Sequence, residues 1–248
     1  MVMAKHAHSP YWYAQNIHAC DRIPPRRREP SPYGHRHAMV IGLMGGSFNP
    51  AHKGHKYIAE QAIQRFGLHQ VWWMISPQNP LKPAQGMAPF TARLRSAETI
   101  ATHPQIIPTR IEHDLGTRYT ADTLQQLQQR FPRASFIWIM GADNLASFHK
   151  WKHWHRIARH IPMAIFDRAP QSLSAISSPA ARRYAHARIP PHQMRAVLRH
   201  PPIPARIAPC WCFVPIARHP ASSTAIRAKF HAQDHICHEK QVAYVKEP

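Results

Sequence analysis

Acidic residues are scarce: the 248-residue chain carries 12 Asp and Glu against 32 Lys and Arg, a formal net charge of +20, with 21 His besides. So lopsided a balance leaves few carboxylates for an all-protein metal cage and points to an anionic partner, whether phosphate, nucleic acid or membrane surface. Cysteine is also thin. Four residues, Cys20, Cys210, Cys212 and Cys237, are too few and too scattered for a disulfide scaffold, and the chain reads as a protein of the reducing cytoplasm. Cys210 and Cys212 with Cys237 and His238 do not have the usual zinc-knuckle spacing, so buried thiols on a strand are expected and no metal site. No stretch approaches the roughly 18 uninterrupted apolar residues of a membrane span, which predicts no membrane partner. What is present is 44% apolar residues, enough for one packed core.

Residues 1–38 hold Pro10, Pro24, Pro25, Pro30 and Pro32, an Arg26-Arg27-Arg28 run and a net charge of 6 − 2 = +4, with no sustained apolar period. They read as a flexible basic arm ahead of a domain spanning 39–248. From Met39 onward strand-like and helix-like segments alternate, the pattern of an α/β domain with a mostly parallel sheet. Strands are predicted at 39–44, 70–76, 105–109, 135–140, 163–167 and 211–215, and helices at 54–66, 89–102, 120–130 and 144–159. In the third of these helices Leu124 and Leu127 keep helical spacing and Pro132 terminates it. Pro-rich stretches such as Arg188 to Pro209 connect weaker helical pieces, and the region from Gln171 to Pro209 reads as helix-poor.

The sharpest segment is Gly45-Gly46-Ser47-Phe48-Asn49-Pro50-Ala51-His52-Lys53-Gly54-His55, between the first strand and the first helix. Small residues let backbone approach a ligand, and a helix N-terminus offers N–H groups and a positive dipole end to an anion. His52 and His55 share the face of one helical turn, where imidazole donors can stabilise charge on a phosphate. The segment is neither G-x-G-x-x-G nor G-x-x-x-x-G-K-[ST], which argues against hydride transfer and P-loop hydrolysis. Far along the chain, Ser222-Ser223-Thr224-Ala225-Ile226-Arg227 opens a last helix with hydroxyls followed by Arg, a second anion clamp.

The first segment resembles the G-G-[TS]-F-[DN]-P-x-H-x-G-H signature of the nucleotidylyltransferase superfamily, and the second its I-S-S-T-x-I-R motif, with Ala221 in place of the usual Ile. A K-M-S-K-S partner, which a class I aminoacyl-tRNA synthetase would carry, is lacking. Met140-Gly-Ala-Asp143-Asn-Leu145, Phe148, Trp151 and Trp154 are similar to the G-x-D-x-L-x-x-F-x-x-W pattern of bacterial nicotinate-nucleotide adenylyltransferases. Ser76-Pro-Gln-Asn-Pro-Leu-Lys82 resembles that family's loop after the second strand. Tyr119-Thr120 matches its S-Y-T element, although Arg118 stands where the family usually has Ser.

The resemblance implies a Rossmann-like, doubly wound sheet with helices on both faces and the active site at the ends of its first and fourth strands. It implies adenylyl transfer from ATP to nicotinate mononucleotide, giving nicotinate adenine dinucleotide and pyrophosphate in NAD synthesis. His52, His55 and Arg227 take the catalytic roles, and Gly46, Ser47, Phe48, Ser222, Ser223 and Thr224 bind ATP. Lys82, Thr120, Asp143, Trp151 and Arg168 hold the mononucleotide, with Trp151 stacked on the pyridine ring. Mg²⁺ arrives with ATP. As a stripe on one helix, Phe148, Trp151 and Trp154 would instead be core, and Thr120 would be an N-cap. Sibling enzymes acting on nicotinamide mononucleotide or phosphopantetheine share the outer motifs. A nucleic-acid binder fits the charge, but its charge is spread and no binding motif accompanies it, so no nucleic-acid partner is expected.

Overall fold

The computed structural model describes residues 30–31, 33–34, 38–77, 86–167, 172–199, 208–217, 219, 221, 223–224 and 226–228. Most of the predicted arm lies outside these residues, as do Lys82, Arg168, Ser222, Cys20, Cys237 and His238.

Six strands form one sheet: β1 (Met39–Gly46), β2 (Gln70–Ile75), β3 (Ile106–Thr109), β4 (Ala134–Gly141), β5 (Met163–Phe166) and β6 (Trp211–Val214). All pairings are parallel, in the order β3-β2-β1-β4-β5-β6. The chain winds outward from β1 to β3, then returns to lay β4 against the other side of β1. The strand order therefore reverses between β1 and β4, and the crevice beyond their carboxyl ends is where such a sheet receives a ligand.

Burial on both faces explains why the strands read as nearly continuous apolar runs. Alternate side chains divide into two cores. Ile41, Leu43, Trp72, Met74, Phe136 and Trp138 pack on one side. Val40, Met44, Val71, Trp73, Ile137 and Ile139 pack on the other. The second face is covered by α1 (Lys53–Phe66), α2 (Phe90–Ile100) and later α9 (Pro191–Leu198). Over the first lie α4 (Thr120–Arg130), α5 (Ala142–Ser147), α6 (Trp154–His160) and α8 (Pro179–Arg183), preceded by the short helices α3 (Ile111–Asp114) and α7 (Ser172–Ile176). Cys210 and Cys212 are free and buried, and burial pushes their thiols up to about 11 and about 12. None of the described helices is long and apolar enough to cross a membrane.

Two expectations are corrected. The helix predicted over 144–159 is broken: a 3-10 turn at Phe148–Lys150 leads to Trp151 in an extended conformation and His153 at φ 56°, before α6 begins. Phe148 is wholly buried while Trp151 remains half-buried, so the three aromatic residues form no single helical stripe. The Pro-rich region after 171 is also more helical than its composition suggests. Pro179 and Pro191 are the first residues of α8 and α9, where a missing N–H costs nothing and the fixed φ suits the helix.

Phe131, just past α4, is fully buried edge-on to Trp72 and Phe136, with ring centroids at 5.2 and 6.2 Å. Phe131→Ala is expected to cost about 3–5 kcal/mol, read from urea denaturation followed by circular dichroism; a loss below about 1 kcal/mol would show that this corner repacks.

Candidate active site

Between β1 and α1 the chain turns sharply. Phe48 sits at φ 45°, held by a buried ring stacked on Trp73 at 5.3 Å and tilted against His55 at 4.9 Å. His52 then caps α1. Its Nδ1 accepts the Gly54 N–H at 3.1 Å, and its own N–H donates to the Nδ1 of His55 at 3.2 Å. This is a capping box in which imidazoles stand where hydroxyl and carboxylate usually do. A consequence for chemistry follows: an Nδ1 that accepts carries no proton, so each neutral ring bears its hydrogen on Nε2. The two rings are 3.8 Å apart and both residues are buried. Two N–H donors are thus fixed side by side at the positive end of a helix.

The glycine between them is sterically required. A Cβ on Gly54 would lie 2.9 Å from His52 Nδ1 and 3.1 Å from the Ala221 carbonyl. That carbonyl belongs to the second motif, which docks directly on the first. Ser223 Oγ donates to the Pro50 carbonyl at 3.0 Å, and Arg227 donates through Nη1 to the Asn49 carbonyl and through Nη2 to Thr224 Oγ1 at 3.4 Å. His52, His55, Ser223, Thr224 and Arg227 therefore come together. At Gly46 a Cβ would make only ordinary contact with Phe48, so packing does not demand glycine there.

The middle segments adjoin this turn through one ring. A Cβ on Gly45 would strike Trp138 at 2.7 Å, and Trp138 meets Trp151 edge-on at 6.0 Å. Asp143 is exposed in the first turn of α5, directly beyond β4. Tyr119, not Thr120, is the N-cap of α4, and Thr120 is its first helical residue, which corrects the capping role expected for it. Lys152 Nζ lies 4.2 Å above the Tyr119 ring, tying the Trp151 loop to the start of α4.

Sequence reasoning passed over three residues. Asn49 pins the loop before α2 by donating to the Gly86 carbonyl and accepting from Ala88 N–H. Arg93 is buried and gives its guanidinium to four backbone carbonyls; its helical surroundings make it look like a solvated cation. Glu112 is buried in α3, and desolvation raises its carboxyl to about 7, a rise partly opposed by a hydrogen bond with Thr123.

Glu112 holds its proton in the folded chain at pH values where the unfolded chain has lost it. Its contribution therefore falls as pH rises from about 4.5 to about 7 and is flat above that. Glu112→Gln is expected to raise Tm by a few degrees at pH 8 and to leave it unchanged near pH 4, in thermal melts across that range. A parallel offset at all pH values would assign the effect to packing.

The cytidylyltransferase-like family matches residues 43–229, which include both motifs and everything between them. A Roseobacter denitrificans protein named "Probable nicotinate-nucleotide adenylyltransferase" is 48% identical over 194 residues, 78% of this chain and 94% of that protein. One of the same name from Rhizobium johnstonii is 46% identical over 196 residues, covering 79% of this chain and 95% of the relative. A solved structure, Plasmodium falciparum nicotinic acid mononucleotide adenylyltransferase complexed with NaAD, superimposes with a TM-score of 0.56 at 16% identity, over 78% of this chain and 83% of that one; it shares the fold. With identity this high along nearly the whole length of these relatives, the chain belongs to the nicotinate-nucleotide adenylyltransferase family of cytidylyltransferase-like proteins.

Proposed function

We propose that the chain transfers the adenylyl group of ATP to nicotinate mononucleotide, releasing pyrophosphate and forming nicotinate adenine dinucleotide. The observation that carries the reading is the reciprocal cap of His52 and His55, which commits Nδ1 of both rings to the backbone at the start of α1, just beyond the carboxyl end of β1.

The chemistry asks for positioning more than for proton transfer. A 5′-phosphate with its second pKa near 6 is already an oxyanion at neutral pH, so its oxygen can attack the α-phosphorus of ATP without a general base. The new P–O bond forms in line as the bond to the β-phosphate oxygen breaks, and that electron pair leaves with pyrophosphate. His52 and His55 would donate to the transferring phosphate through Nε2, and Arg227, together with Ser222, Ser223 and Thr224, to the β- and γ-phosphates. Gly46, Ser47 and Phe48 would offer close backbone approach. Among the described residues no group of three or more His, Cys, Asp or Glu could hold a metal ion, and the first turn of α1 has no acidic residue. Mg²⁺ would therefore enter bound to ATP, where it lowers the charge on the phosphate oxygens.

Asp143 and Thr120, at the ends of β4 and the start of α4, would hold the mononucleotide, with Lys82 and Arg168 toward its phosphate. Half-buried Trp151 would stack on the electron-poor pyridine ring.

Pyrophosphate release from MgATP, measured in parallel with nicotinate and nicotinamide mononucleotides, is expected to favour the acid strongly; turnover of neither would overturn the reading. His55→Ala is expected to lower kcat by about 10²–10³-fold with the fold retained, the range for losing one transition-state donor. Trp151→Ala should raise KM for the mononucleotide and leave KM for ATP unchanged, whereas equal changes in both would place the ring in the core.

A further inference from the structure

Beyond the last bond of a parallel ladder, backbone carbonyls need other partners. The ladder between them ends with Gly46 opposite Ile75 and a last bond from Ser76 N–H to the Gly46 carbonyl at 2.9 Å. Immediately beyond, Arg93 takes over. From α2, with 1% of its surface exposed, it donates from Nη1 to the carbonyls of Ser47 and Ser76, both at 2.7 Å. Nη2 reaches the Pro77 carbonyl at 3.0 Å and Nε the Ala88 carbonyl at 3.0 Å. One planar fork thus joins the turn after β1, the loop after β2 and the segment leading into α2. A lysine's point charge could not span them.

The Ser47 carbonyl matters most. The peptide bond between Ser47 and Phe48 is not among the cis bonds, so the Phe48 N–H points opposite to the Ser47 carbonyl across a rigid plane. Drawing that carbonyl onto Arg93 turns the Phe48 N–H away from the guanidinium, in the same turn that delivers His52 and His55. We propose that Arg93 is a positioning residue for adenylyl transfer, fixing the orientation of the 45–50 turn and aiming the Phe48 N–H as a phosphate donor. The inference rests on the function proposed above.

Arg93→Lys and Arg93→Met, assayed well below their melting temperatures, are expected to lower kcat by about 10- to 100-fold, the cost of small displacements of reacting groups. KM for each substrate should move by less than about threefold, and lysine should not rescue. A purely structural Arg93 would lower Tm and leave kcat at the wild-type value, which would overturn the proposal. Should neither variant fold, replacing Phe48 by its α-hydroxy analogue removes the N–H and also makes the Ser47 carbonyl a weaker ester acceptor for Arg93, leaving the Arg93 side chain itself in place; it should reproduce the loss of kcat, and full activity would equally refute the idea. Wild-type protein that turns over neither mononucleotide would sink the functional reading instead, so the two failures are told apart.

Discussion

The first N–H groups of α1 need acceptors, and the use of imidazole nitrogen to supply them is the constraint around which the rest is arranged. Because Nδ1 of both His52 and His55 is committed to the backbone, tautomer and ring orientation are settled before any ligand arrives. The arrangement in turn needs a glycine at position 54, because the His52 ring and the Ala221 carbonyl occupy the space a Cβ would fill. It also needs a firm platform beneath, which Phe48 and Trp73 supply from the core on that side of the sheet. Helix capping and aromatic packing are here the same set of contacts.

Much of this was legible in the sequence because it follows from short-range rules. The strands show as apolar runs because both faces are covered. Strand β1 runs two residues further than its apolar pattern, through Gly45 and Gly46, since glycine carries no hydrophobic signal. Helix α4 falls where Leu124 and Leu127 and the following Pro132 place it. The two-histidine turn and the final Ser-Thr-Arg segment could be matched to each other by motif, and their hydrogen-bonded contact gives that pairing a physical basis.

What was not legible depends on distant partners. Arg93 reads as one more cation on an amphipathic helix, since nothing local announces the four carbonyls that surround it. Glu112 opens the polar run Glu112-His113-Asp114, and only the tertiary packing buries it. The break at Trp151–His153 defeats a periodicity argument because Phe148 does meet both Trp151 and Trp154, though around a kink and not along a stripe. Pro179 and Pro191 mislead in the opposite direction, since a helix-breaking residue in mid-helix is a helix-starting residue at its first position.

The hydrogen bond from Arg227 to Asn49 joins positions 178 apart in the chain, and that from Ser223 to Pro50 joins positions 173 apart. Closing so long a loop has an entropic cost that only an already assembled sheet can offset. A chain growing from its N-terminus carries its histidine turn long before it has the segment that docks on it. The contact between the two motifs thus registers whether nearly the whole length of the domain has come together.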